Sequence, residues 1–155
     1  MEKRDSIVVL GNPFMGDEGV GPALLEILRQ EPNLPASLDL IDTGGNILNA
    51  LHSLSGRRKV LFIDCALMGL QPGDSLRFLP AEVETQKQMP RLSLHEGDLL
   101  QMLETAKLLG QSAEQVVILG IEPDRVEPGE GLSPTLSSRL GFYLQQILSE
   151  FKNPI

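Results

Sequence analysis

Short apolar runs recur along this chain, each stopping abruptly at a glycine-containing turn or an acid, and the stretches between them carry apolar residues at helical spacing. Ile7-Val8-Val9-Leu10 stops at Gly11-Asn12-Pro13, Leu38 to Ile41 stops at Asp42-Thr43-Gly44-Gly45, and Val60-Leu61-Phe62-Ile63 delivers Asp64. Val116-Val117-Ile118-Leu119 runs into GIEPDRVEPGEGLSP, a segment so rich in Gly and Pro that it must be irregular. Unbroken apolar runs belong to strands buried on both faces, and helical stretches between them are what parallel connections require. The pattern predicts an α/β fold around a mostly parallel sheet. A fifth strand, Ser75 to Leu79, follows the turn Gln71-Pro72-Gly73-Asp74 and is expected to pair antiparallel at an edge.

Helices are expected at four places. Asp17 precedes Val20, Leu24, Ile27 and Leu28 and reads as the cap of a helix ending near Glu31-Pro32. Ile47 to Leu54 is closed by Gly56, and Leu99, Met102, Leu103 and Ala106 define a helix closed by Gly110. Ser133-Pro134 opens a final helix whose core face is Leu136, Leu140, Leu144, Ile147, Leu148 and Phe151. Residues 80–94 hold two prolines and no clear period and read as a long loop.

Length and charge restrict the function. A chain of 155 residues, 41% hydrophobic and without linker or repeat, reads as a single domain over 1–155. Its net charge of −8 disfavours nucleic acid and anionic membrane and favours a cation or a partner carrying one. The only basic cluster is Arg57-Arg58-Lys59. The lone cysteine, Cys65, precludes an internal disulfide, and no apolar run approaches the ~20 residues that span a bilayer, so a cytoplasmic location is expected.

In open parallel sheets ligands bind beyond the carboxyl ends of the strands. Those exits carry Asp17 and Glu18, Asp42, and Asp64, and His95 lies in the segment leading into the next helix. Carboxylates and an imidazole gathered on one edge would repel one another without a proton or metal cation among them. The first loop, GNPFMGDEGVG, lacks GxGxxG spacing and would set two acids against a phosphate, so it does not read as a dinucleotide site. Asp17 reads as a cap, and Glu18, beside glycines, as the better ligand. Glu18, Asp64 and His95 supply two oxygens and a nitrogen, a set suited to nickel or zinc. Asp64 and Cys65 point to opposite faces of an extended strand, so only one lines the site; Asp64 is favoured, and Cys65 is expected in the core. His52 is expected at the surface, and Phe14 and Met15 are expected to pack or, if exposed, to meet a partner.

Four segments together, GNPFMGDEGVG (11–21), FIDCALMGLQPG (62–73), SLHEGDLL (93–100) and VVILGIEPDRVEPGEGLSP (116–134), resemble the hydrogenase maturation proteases. The resemblance implies a three-layer sandwich, a mostly parallel five-stranded sheet with helices on both faces. It implies removal of a C-terminal extension from the precursor large subunit of a nickel–iron hydrogenase after nickel insertion, with nickel supplied by the substrate. Carried over by position, the family's metal site falls on Glu18, Asp64 and His95, the residues the strand exits select. Asp42, in IDTGGN, matches an acidic position near that site, and it or one of the ligands is the expected base; Asp42, Glu18 and Asp64 are the candidate catalytic acids. No HExxH is present. The same three ligands would also serve a non-catalytic nickel-binding or metal-sensing chaperone.

Overall fold

The computed structural model describes residues 4–85 and 94–151, with side chains for 4–82 and 99–151. Five strands, β1 (Asp5–Val9), β2 (Leu38–Asp42), β3 (Lys59–Cys65), β4 (Ser75–Phe78) and β5 (Gln115–Ile121), form one sheet in the order β2-β1-β3-β5-β4. All pairs are parallel except β4 with β5, which is antiparallel at the edge, as the turn before Ser75 predicts. The expected edge strand and the five-stranded, mostly parallel sheet are both present.

Alternation along the strands divides the core into two clusters. Ile7, Val9, Leu61, Ile63 and Cys65 face one way and pack with Leu24 and Leu28 of α1 (Val20–Leu28) and with Tyr143 and Ile147 of the C-terminal helix. Val8, Val60, Phe62 and Ile118 face the other way and pack with Ala50 of α2 (Leu48–Leu51) and with Leu99, Met102 and Ala106 of α4 (Leu94–Leu108). The result is a sheet between two helical layers. Cys65 is buried in the first cluster, as expected of a small hydrophobe.

Several elements differ from expectation. The helix foreseen over Ile47–Leu54 keeps α-geometry only through Leu51 and continues in tighter turns, with Ser53 N–H donating to Ala50 O and Leu54 N–H to Leu51 O. Burial of Ala50 and Leu54 survives the change. The expected loop 80–94 begins with a helix, α3 (Pro80–Thr85), where Glu82 Oε1 accepts from Leu79 N–H at 3.2 Å. Proline in a first turn followed by Glu is a helix-start signal that the lack of period obscures. Residues 86–93 lie outside the description.

The final helix is two: α5 (Pro134–Ser137), capped by Ser133, and α6 (Leu140–Glu150), with the chain leaving helical geometry at Arg139 (φ −110°, ψ 5°). Neither Ser138 nor Arg139 at the break is a proline or glycine, and the glycine nearby, Gly141, lies in the first turn of α6. Tyr143, absent from the expected core face, is fully buried, its hydroxyl donating to Gly73 O at 2.6 Å.

The Arg57-Arg58-Lys59 cluster is consumed by ion pairs. Arg57 meets Asp39, Arg58 meets Asp5, and Lys59 meets Glu150. No helix among the described residues is long and apolar enough to cross a membrane.

Candidate active site at the carboxyl edge of the sheet

The chain turns from β1 to β2 on one side and crosses back to β3 on the other, so the topological switch point lies between β1 and β3. The loop after β1 and the end of β3 therefore flank the crevice where such sheets bind ligands.

The loop after β1 is held to a single shape. Gly11 (φ +120°) brings β1 back so tightly that a Cβ there would lie 2.0 Å from Glu18 O. Gly16 (φ +58°) lets the loop meet the segment after β5, where Gly129 N–H donates to Phe14 O and Gly16 N–H to Gly129 O. Asp17 completes this contact. It is fully buried and does not cap α1, whose N-cap, Gly19, makes no side-chain bond; the short 3₁₀ turn Gly16–Gly19 intervenes. Its carboxylate accepts instead from Asp124 N–H (2.9 Å), Arg125 N–H (2.8 Å), Ser133 N–H (2.7 Å) and the Ser133 hydroxyl (2.8 Å). The cap reading of Asp17 is thus corrected: its partners are remote in sequence. Burial pushes its pKa up, but the donors from Ser133, Arg125 and Asp124 outweigh burial and hold it below the usual carboxylate value.

Glu18 lines a cleft of about 640 Å³ between the β1 and β2 exits, with Gly11, Phe14, Asp42, Gly45 and Ile47. Asp42 is exposed on its far side, its Oδ1 accepting from Gly44 N–H at 2.9 Å. Register places Asp42 and Ile63 on either side of Val9, so β1 separates Asp42 from the Asp64 strand. Two strand spacings put those backbones roughly 10 Å apart. Glu18, on the loop between them, is the member common to both.

Asp64 is 2% exposed, and its Oδ2 is buried without a hydrogen-bond partner. Burial raises its pKa, the Cys65 N–H opposes the rise, and the Glu18 charge adds to it, leaving the carboxyl at about 7. It shares a strand face with Val60 and Phe62, the face that α4 covers. Because α4 leads directly into β5, its C-terminal end lies at the amino edge of the sheet. Its fifteen residues span roughly 22 Å, about the length of the seven-residue β5, so the start of α4 reaches the carboxyl edge. The backbone thereby places His95, in the first turn of α4, at the edge and on the face of Asp64; the His95 side chain is outside the described residues. Among the described residues no group of three or more His, Cys, Asp or Glu is spaced to hold a metal ion. His52 is exposed, as expected, and Phe14 is 61% exposed, so its packing reading is corrected.

Glu122 is a supporting residue not singled out from the sequence. It is buried directly after β5 and accepts through Oε1 from Met68 N–H (2.8 Å) and Leu70 N–H (3.0 Å), tying down the loop that follows Asp64. The rule that found Asp64, an acid at a strand exit, applies equally to Glu122. Glu122→Ala is expected to cost about 2 kcal/mol by stranding two N–H donors, read as a lowered midpoint in urea unfolding.

A doubly wound α/β sandwich with carboxylates meeting at its switch point belongs to the class that binds a ligand or cation at the sheet's carboxyl edge. A sequence model of the family described as hydrogenase maturation protease matches residues 22–150, and the chain belongs to that family. The hydrogenase 3 maturation protease of Escherichia coli is 30% identical over 79% of this chain and 74% of its own length. The hydrogenase 2 maturation protease of the same organism is 23% identical over 96% of this chain and 91% of its own. The solved hydrogenase-maturating endopeptidase HybD of E. coli superimposes with a TM-score of 0.82, at 25% identity over 95% of this chain and 91% of that one. The chain is accordingly a peptide hydrolase of this family, which decides against the non-catalytic chaperone. The family match begins after the Gly11–Gly21 loop, while both the HybD superposition and the hydrogenase 2 protease alignment extend over nearly the whole chain.

Proposed function

We propose that this peptide hydrolase removes a C-terminal extension from the precursor large subunit of a nickel–iron hydrogenase, and that Glu18, Asp64 and His95 contact the nickel carried by that precursor. The observation that carries the reading is the buried, unpartnered Asp64 Oδ2 beside the Glu18 charge. A buried acceptor without a donor is costly, and a neighbouring carboxylate raises the cost; a cation removes both penalties at once. Two oxygens and an imidazole suit nickel while leaving coordination positions for the precursor's own ligands.

In this reading the acids select substrate that already contains metal. Binding then holds the scissile peptide near the cleft. Asp42, exposed in the cleft that Glu18 also lines, takes a proton from water attacking the carbonyl carbon in this reading, with the amine leaving after protonation. The reaction belongs in the cytoplasm, where the lone cysteine stays reduced.

The reading is tested by incubating the protein with nickel-loaded and nickel-free precursor and following intact mass. The expected result is loss of a C-terminal peptide from the loaded precursor alone. Binding of loaded precursor without any cleavage overturns the proposed reaction, and equal cleavage of both forms overturns the role of nickel.

A further inference from the structure

Large apolar side chains left in water gather on the edge that carries the site. Of the ten exposed large hydrophobic residues among those described, Phe14, Leu48, Leu67, Leu70 and Val126 sit at the exits of the four parallel strands. Phe14 follows β1, Leu48 opens α2 after β2, Leu67 and Leu70 follow β3, and Val126 follows β5. At the opposite edge, Leu108 and Leu109 stand together at the end of α4. Single exposed hydrophobics need no explanation, but a set surrounding one edge marks a contact surface.

Phe14 is the distinctive member. Its loop is fixed by the Asp17 carboxylate, by Phe14 N–H donating to Asn12 Oδ1 at 2.9 Å, and by Gly129 N–H donating to Phe14 O at 2.8 Å. None of these uses the ring. An aromatic held on a preorganised loop, exposed and lining the cleft that contains Glu18, has the character of an interface anchor, because little side-chain or loop entropy is lost when it is buried.

We infer that Phe14 anchors the substrate protein, entering an apolar recess on the metal-loaded large-subunit precursor next to its cation, with Leu67, Leu70 and Val126 completing the contact. The inference rests on the proposed substrate. Charge complementarity favours this occupant: Phe14 and Ile47 line the same cleft as Glu18 and Asp42, and apolar side chains beside two acids call for a protein surface with a positive centre. A second copy of this chain would bring the same acids face to face.

The test measures the affinity of full-length protein for purified nickel-loaded precursor by anisotropy, together with kcat and KM for processing. Phe14→Ala is expected to raise Kd and KM at least about tenfold with kcat within about twofold of wild type and an unchanged Tm. Phe14→Leu is expected to recover part of the affinity, and Leu108→Ala, at the opposite edge, to leave both constants unchanged. Wild-type affinity and KM in Phe14→Ala overturn the anchor while leaving the proposed reaction standing. If wild type binds precursor without cleaving it, the reaction falls and the anchor is decided by Kd alone. If wild type does not bind precursor, both fall.

Discussion

Asp64→Asn is expected to abolish processing while removing a stability penalty that the native carboxylate imposes at neutral pH. The residue is almost wholly buried and one of its oxygens has no partner, so the substitution conserves shape where no space is available for change. Its carboxyl titrates at about 7 in the folded chain against an unfolded value of 3.8. A folded state with the higher pKa binds the proton more tightly, so the contribution of this carboxyl to wild-type stability is most favourable at low pH and falls as pH rises from about 4 through 7. By linkage the loss reaches roughly 4 kcal/mol above pH 7, and an asparagine has no such proton to lose. The Tm of the variant relative to wild type should therefore climb by roughly 5–10 °C between pH 4.5 and pH 8, measured on metal-free protein. Parallel Tm curves for the two proteins would refute the buried-charge account. Processing of loaded precursor should fall at least about 100-fold, as exceeds the loss typical of a merely supporting group. Glu18→Gln and His95→Ala should lose processing to a similar extent, whereas the climb in relative Tm belongs to the buried carboxyl.

This combination explains why strand-end acids are legible in a sequence. Asp64 ends a run of four apolar residues, and local alternation is enough to direct it to one face and Cys65 to the other. The structure has Cys65 among Val9, Ile63 and Ile121, and Asp64 on the face covered by α4. The strands and their parallel order are likewise encoded in local runs and in the helical stretches between them. What local pattern cannot reveal is a partner more than a hundred residues away. Asp17 has every sign of a helix cap, but its donors are at 124, 125 and 133. Glu122 likewise reaches back 54 and 52 residues, to Met68 and Leu70. The break at Arg139 and the burial of Tyr143 also depend on tertiary packing, since Tyr143 reaches Gly73 on a distant turn.

The long-range role of Asp17 leads to the largest expected loss of stability. Asp17→Ala strands three backbone N–H groups and a hydroxyl that donate to this carboxylate. Hydrogen bonds to a charged acceptor are worth about 1.5–3 kcal/mol each, but water reaches the more open Asp124–Arg125 side, so the sum should be about 3–5 kcal/mol. Because the folded pKa lies below the unfolded 3.8, the contribution is fully present above that value and lost as pH falls through the lower folded one. Unfolding curves of wild type and variant should thus differ by a constant amount from pH 5 to pH 8 and converge in acid. Ser133→Ala should cost less, about 1–2 kcal/mol, through lost bonds to Asp17 and to Leu136 N–H. The double variant should be little worse than Asp17→Ala, since both act through one network. Additive losses would mean that the two residues stabilise separate parts of the molecule. Asp17→Ala should also slow processing at temperatures where it remains folded, because the loop that it pins carries Glu18 and Phe14 over the crevice.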